Sequence, residues 1–217
     1  MRCDKGLEKE IDNIIDYDIF KDFDNENYEK GRDKLKKLYL KYYHFTENMN
    51  IKWRILYNII YAENKIYIRS TSDSKKADVH QLIKKHTTML KNEMETNLKY
   101  LKDNRGRYCD VLSYYIPYNK EDLTKSEIIN LYSISYDIFE KDLSKKYTER
   151  NFLCAISAKF NLYLMLEDEE VVLDILDTLS SLHNSQADLM IEDMFKDMKE
   201  TNIDLYERIK NNIALAI

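Results

Sequence analysis

The sequence predicts an all-α fold, built as an array of antiparallel helix hairpins with about nine or ten helices. Three observations carry that expectation. The 217 residues include three Gly and one Pro, too few for the tight turns on which a β-rich chain depends. Apolar residues recur at three- and four-residue spacing along nearly the whole chain. The segments that interrupt the spacing, "DFDNEN", "TENMN" and "STSDS", are short and polar, and helices joined by links of that length run antiparallel. A chain of this length buries a real core as one extended helical domain, 1–217, with a subdomain junction expected near 103–123.

The elements follow in order. Leu7, Ile11, Ile14 and Ile15 make one face of a first helix, with Glu8, Asp12 and Asp16 opposite. Leu35, Leu38, Tyr39, Tyr42 and Tyr43 stripe a second helix, and Trp53, Leu56, Tyr57, Ile60 and Tyr67 a third. A long fourth carries Val79, Leu82, Ile83, His86, Leu90, Met94, Leu98 and Leu101. Gly106 and Pro117 then bracket a short helix over about 108–116, since both residues interrupt helical backbone. Beyond it the spacing predicts helices over 125–146, over 149–166 with Phe152, Ile156, Phe160 and Tyr163 inward, and over 168–183 with Val172, Ile175, Leu176 and Leu179 inward. The last two begin at Ser/Thr-x-x-Asp boxes, Ser185 with Asp188 and Thr201 with Asp204, which can satisfy the free amides of a first turn. Their cores are Met190, Ile191, Met194 and Met198, then Tyr206, Ile209 and Ile213.

Residues 123–143, "LTKSEIINLYSISYDIFEKDL", have the outline of a DNA-binding helix-turn-helix. Thr124 and Glu127 form a capping box, and Ile128, Leu131, Ile134, Ile138 and Phe139 could make its small core. The side chains argue otherwise. Ser133 stands where such a turn commonly needs Gly, and the helix meant for the groove offers Tyr136, Asp137, Glu140 and Asp142, whose carboxylates repel phosphate and supply none of the Arg or Lys that read bases. Ile128, Leu131, Ser135, Ile138 and Leu143 also lie on one uninterrupted stripe. A single packed helix is the expectation.

The charge is unevenly distributed. Residues 30–107 hold 19 Lys and Arg against 8 Asp and Glu, while the first 29 residues carry a net −6 and residues 108–217 a net −10. Clustered cations of this kind bind nucleic acid or another anionic partner, or merely solvate helix faces, as Lys34, Lys37 and Lys41 do in the blander reading. Oppositely charged sections also open the way to a homo-oligomer.

Chemistry-bearing clusters are scarce. Cys3, Cys109 and Cys154 are odd in number and far apart, which suits neither a disulfide framework nor a zinc site. Glu170, Asp174 and Asp177 share a helix face without a His at ligand spacing, and a solvated face is the expectation there. His44 and His183 close helices, and His86 lies within an apolar stripe. No catalytic residue, metal or cofactor is expected, and no run of about 18 apolar residues suits a membrane. A soluble, cytoplasmic protein follows. Its wealth of Lys, Asn, Ile and Tyr is what AT-rich codons produce and points to a bacterium or phage.

The 18 tyrosines suggest where a partner would sit. Tyr39, Tyr42, Tyr43, Tyr57, Tyr61 and Tyr67 fall on consecutive helices of the basic section. Tyrosines of this kind fill half-buried seams, or else they line a groove. In the second case the binding residues are Trp53, Arg54, Tyr57, Tyr61, Lys65, Tyr67 and Arg69, a set suited to a peptide or an acidic protein segment and open also to stacking of single-stranded nucleic acid. Trp53 and Leu56 match the opening positions of the tetratricopeptide repeat, with Tyr57 where its Gly belongs. In helix order and pairing the chain resembles tetratricopeptide-like repeats, and the helical-repeat sensor regions of bacterial and phage peptide-responsive regulators. The resemblance implies a topology and transfers no functional residue. The function expected is a non-enzymatic binding or regulatory protein that engages a protein or peptide; the alternative is a nucleic-acid-binding protein using residues 30–107.

Overall fold

The computed structural model describes residues 5–42, 48–101 and 104–216, and every element among them is helical. Cys3, Tyr43 and His44 lie outside these residues, as do the side chains of Leu7, Glu8 and Ile213. The chain divides into two compact units, unit 1 over Met1–Asp122 and unit 2 over Leu123–Ile217.

Unit 1 opens with α1 (Lys5–Asn13), a π-helical segment (Ile14–Ile19) and α2 (Phe20–Asp24), with helical backbone through both joints. The π segment has a reason in the sequence. Ile11, Ile15, Ile19 and Phe23 are all buried, and each four-residue step overshoots a full α-helical turn by about 40°. The wider winding of the π segment takes up that drift and keeps the row on the core. Ile14, expected on the same face, is accordingly only half-buried.

A turn at Asn25–Asn27, with Glu26 in the left-handed region at φ 61°, leads into α3 (Tyr28–Tyr42). Next is α4 (Met49–Arg69), whose first turn is capped by the Asn48 side chain accepting from the Asn50 N–H. Ten residues of α4 are buried, among them Trp53, Leu56, Ile60 and Ile66, because α3 packs on one side of it and α5 (Asp73–Thr96) on another.

Two expectations need correction here. The long fourth helix stops at Thr96 and resumes as α6 (Leu98–Leu101). The Asn97 side chain donates to the Glu93 carbonyl at 2.7 Å, in competition with the helical backbone, and Leu98 is exposed, so no burial holds it in the stripe. The short helix expected over 108–116 is instead α7 (Arg105–Asn119), which takes in both Gly106 and Pro117. Gly106 lies in the first turn, and Pro117, which has no N–H to give the carbonyl four residues back, stands two residues before the helix ends. Ile116, Leu112 and Val111 are buried on the same helix. α5 packs against α7, so consecutive helices pair through the unit.

Unit 2 comprises α8 (Lys125–Lys145), α9 (Glu149–Leu166), α10 (Glu169–Ser180), α11 (Ser185–Thr201) and α12 (Ile203–Ala216). Residues 125–145 are one continuous helix opened by the Thr124–Glu127 capping box, so no helix-turn-helix forms there. Its partner α9 joins α10, α11 and α12 in a core that includes Phe160, Leu164, Val172, Leu179, Met198 and Ile209. The caps of the last two helices lie one residue from the expected places. Asn184 accepts from the Ala187 N–H at 2.9 Å and Asn202 from the Leu205 N–H at 3.0 Å. Asn caps as well as Ser or Thr, and Ser185 and Thr201 are already inside helices.

Candidate functional site

The α4 helix brings together most of the expected binding residues. Arg54, Tyr57, Tyr61, Lys65 and Arg69 follow one another at three- and four-residue steps and so share a face. All are half-buried except Arg69, which is exposed. Two expected members lie elsewhere. Trp53 is wholly enclosed, at 0% exposure, with its ring edge-on to Tyr100, so it has no face to offer a partner. One residue back from Arg54, it belongs to the row with Leu56 and Ile60 that meets the core. Tyr67 also turns away, packing edge-on against His80 at 6.0 Å and Tyr118 at 5.5 Å between ring centroids.

The rings on the face are seated between neighbouring helices. Tyr57 approaches Tyr114 of α7 at 6.2 Å, and burial pushes the Tyr114 hydroxyl up to about 12. Tyr61 packs against Phe23 at 5.6 Å and Tyr28 at 6.4 Å, and burial raises its hydroxyl as well. Lys65 holds its ammonium 5.5 Å over the Tyr61 ring, a weak cation–π contact at this exposure.

The cations of the basic section are matched largely within unit 1. Arg54 pairs with Asp12 and Asp16 from the N-terminal helices, and Lys75 pairs with Glu29. Arg69 reaches Glu26 at 2.7 Å while stacking over Tyr28 at 4.9 Å, and this guanidinium holds the Glu26 carboxyl below the usual range. Lys34 at 2.5 Å and Lys30 at 2.9 Å converge on the buried Asp22. Their ammonium groups, Lys34 first, hold its carboxyl low as well. Lys36 and His86 flank the fully buried Glu63 at 3.0 and 2.7 Å, so His86 is a bonded core residue. Arg107 on α7 is a half-buried guanidinium with no hydrogen bond or ion pair among the described residues. Burial and the neighbouring Arg54 both push its pKa down.

The face of α4 ends at a cleft of about 800 Å³, lined from one side by residues between Glu26 and Lys37 and from the other by Ile66, Arg69, Ser70 and Lys75. Lys30, Lys34 and Lys37 enter it from α3 at steps of four and three. The spacing of these lysines is visible in the sequence. Their opposing wall is not, since Arg69 and Lys75 reach the cleft only through the packing of α4 and α5. Elsewhere, Glu170 and Asp177 are exposed on α10, and Asp174 stands 3.7 Å from Lys159. Among the described residues no three His, Cys, Asp or Glu side chains converge as metal ligands. No protein-family model, curated protein or solved structure matches the chain.

Proposed function

We propose that the chain is a non-enzymatic binding or regulatory protein that takes another protein or a peptide on unit 1. The carrying observation is the α4 face, where Arg54, Tyr57, Tyr61, Lys65 and Arg69 follow one another along one helix and Arg69, the last of them, lines the cleft. Tyr and Arg dominate the centres of protein interfaces because they offer large contact area and directional hydrogen bonds at low entropic cost. Sequential pairing of helices through unit 1 supports the tetratricopeptide-like, repeat-built reading. A cytoplasmic setting in a bacterium or phage belongs to the same proposal. In its favour, no helix among the described residues is long and apolar enough to cross a membrane.

The nucleic-acid alternative draws less support. Phosphate tracking depends on cations free to displace counterions, and Arg54, Lys30 and Lys34 already face the carboxylates of Asp12, Asp16 and Asp22. Affinity capture from a bacterial host, run with and without nuclease, tests the reading: a protein partner retained after nuclease is the expected outcome. Titration of labelled generic DNA and RNA at physiological salt is the second arm. Micromolar binding there, lost in Lys65→Glu with the helical signal unchanged, would reverse the ranking.

A further inference from the structure

The cleft at the end of α4 carries more positive charge than its own acids offset. Five cations line it, Lys30, Lys34, Lys37, Arg69 and Lys75, against three carboxylates, Glu26, Glu29 and Asp33. Two positive charges are left over. Lys30 and Lys34 share the single carboxylate of Asp22. Lys37 lines the cleft with no ion pair among the described residues.

The pairs at the cleft mouth are the exchangeable kind. Arg69–Glu26 links α4 to the turn before α3, and Lys75–Glu29 links α5 to the first turn of α3. Both partners of each pair are exposed, between 46% and 66%, and ion pairs in water hold little. A carboxylate arriving from outside can replace Glu26 or Glu29 at small cost. Glu26 is also seated in left-handed backbone at φ 61°, which Gly or Asn would occupy with less strain. Ile66 and the Tyr28 ring also border the cleft, but Ile66 is buried and Arg69 lies over the ring, so what the cleft presents is mainly charge.

We infer that this cleft binds an acidic peptide segment, one rich in Asp or Glu side chains. The inference rests on the protein- or peptide-binding reading above and names the partner's chemistry. The segment's carboxylates accept from Lys37 and Lys34 along α3 and exchange into Arg69 and Lys75. A nucleic-acid backbone fits poorly. It presents an unbroken row of phosphates to a wall that also carries Glu26, Glu29 and Asp33, and only two surplus charges are there to meet it.

Fluorescence anisotropy with short labelled peptides tests this on the full chain. The probe is rich in Asp and Glu; the controls replace the acids by Gln or by Lys, and a single-stranded oligonucleotide forms a further arm. The acidic probe is expected to bind, and Lys37→Glu to weaken it by at least about tenfold, because a like charge then faces the ligand. Glu26→Gly is expected to tighten binding about threefold or more, since it frees Arg69 and relaxes the turn. Lys141→Glu, in unit 2, should leave it unchanged. Both cleft positions are exposed, and circular dichroism of each variant confirms that it is folded. No binding of the acidic probe, or binding indifferent to Lys37→Glu, overturns the inference. If the Gln or Lys peptide binds as well or better, the acidic assignment fails and the peptide-binding reading stands. Binding of the oligonucleotide alone overturns both.

Discussion

Asp22 shows how one carboxylate can tie a basic helix to an acidic one. It is buried, yet Lys34 and Lys30 both reach it from α3, so its charge is retained where an unpaired one would be expelled. Its folded pKa lies below the ordinary 3.8. In the window between that lowered value and 3.8 the unfolded chain binds the extra proton, so stability rises with pH there. The contribution is fully present above about pH 4 and is lost as pH falls through the folded pKa. Chemical denaturation between pH 2 and pH 6 should show this slope, and Asp22→Asn should make it shallower while lowering stability at neutral pH. An unchanged slope in the variant would mean that other carboxylates, such as Glu26 held by Arg69, account for it all.

At the scale of elements, α2 and α3 meet closely at Gly31. A Cβ added at Gly31 would stand 2.4 and 2.9 Å from two atoms of the Phe23 ring. That ring has nowhere to swing: Tyr28 stacks on it at 5.6 Å, Tyr61 leans on it at 5.6 Å and Phe20 meets it edge-on at 5.8 Å. In a helix Gly→Ala ordinarily gains up to about 1 kcal/mol, whereas overpacking costs about 1–3 kcal/mol. Gly31→Ala should therefore destabilise by about 1–2 kcal/mol in urea, and a stabilised variant would show that the ring yields. The sequence offered no sign of this contact, because Phe23 and Gly31 face each other only across the turn at Asn25–Asn27. What local spacing could reveal, it did: α9 occupies residues 149–166 as expected, and the Thr124–Glu127 box opens α8. Of the set expected to line a groove, Arg54, Tyr57, Tyr61, Lys65 and Arg69 do share a face of α4. The expectation erred at Trp53, a single step round the helix from that face. It erred again at Asn97, where a side-chain hydrogen bond outcompetes the ladder, and at Pro117, which α7 includes two residues before its end. The cleft was the least legible feature. Its lysines are local, but their carboxylates come from helices before α3 and its far wall from α4 and α5.

Over the whole molecule, folding alters what the charge pattern means. Along the chain a basic stretch, 30–107, stands between acidic ones. In the structure the acidic residues 12–29 lie against that stretch, through Asp12 and Asp16 on Arg54, Asp22 on Lys30 and Lys34, Glu26 on Arg69 and Glu29 on Lys75. Residues 1–122 contain 24 Lys and Arg against 21 Asp and Glu, a net of +3, while residues 123–217 contain 10 against 18, a net of −8. The strongly basic section is thus part of a nearly neutral unit, and most of its attraction for acids is satisfied inside that unit. Head-to-tail pairing between copies would have to draw on the few cations left over, such as Lys37, against exposed carboxylates that water already solvates, and exposed pairs of that kind contribute about 0–1 kcal/mol each. Stable dimers need a well-packed interface of some 1,200 Å² or more, not a handful of ion pairs. Sedimentation equilibrium at low and high salt should accordingly return the mass of one chain, 26.1 kDa, in both. A dimer at low salt that dissociates as salt is added would show that the surplus charge of the two units suffices to bring copies together.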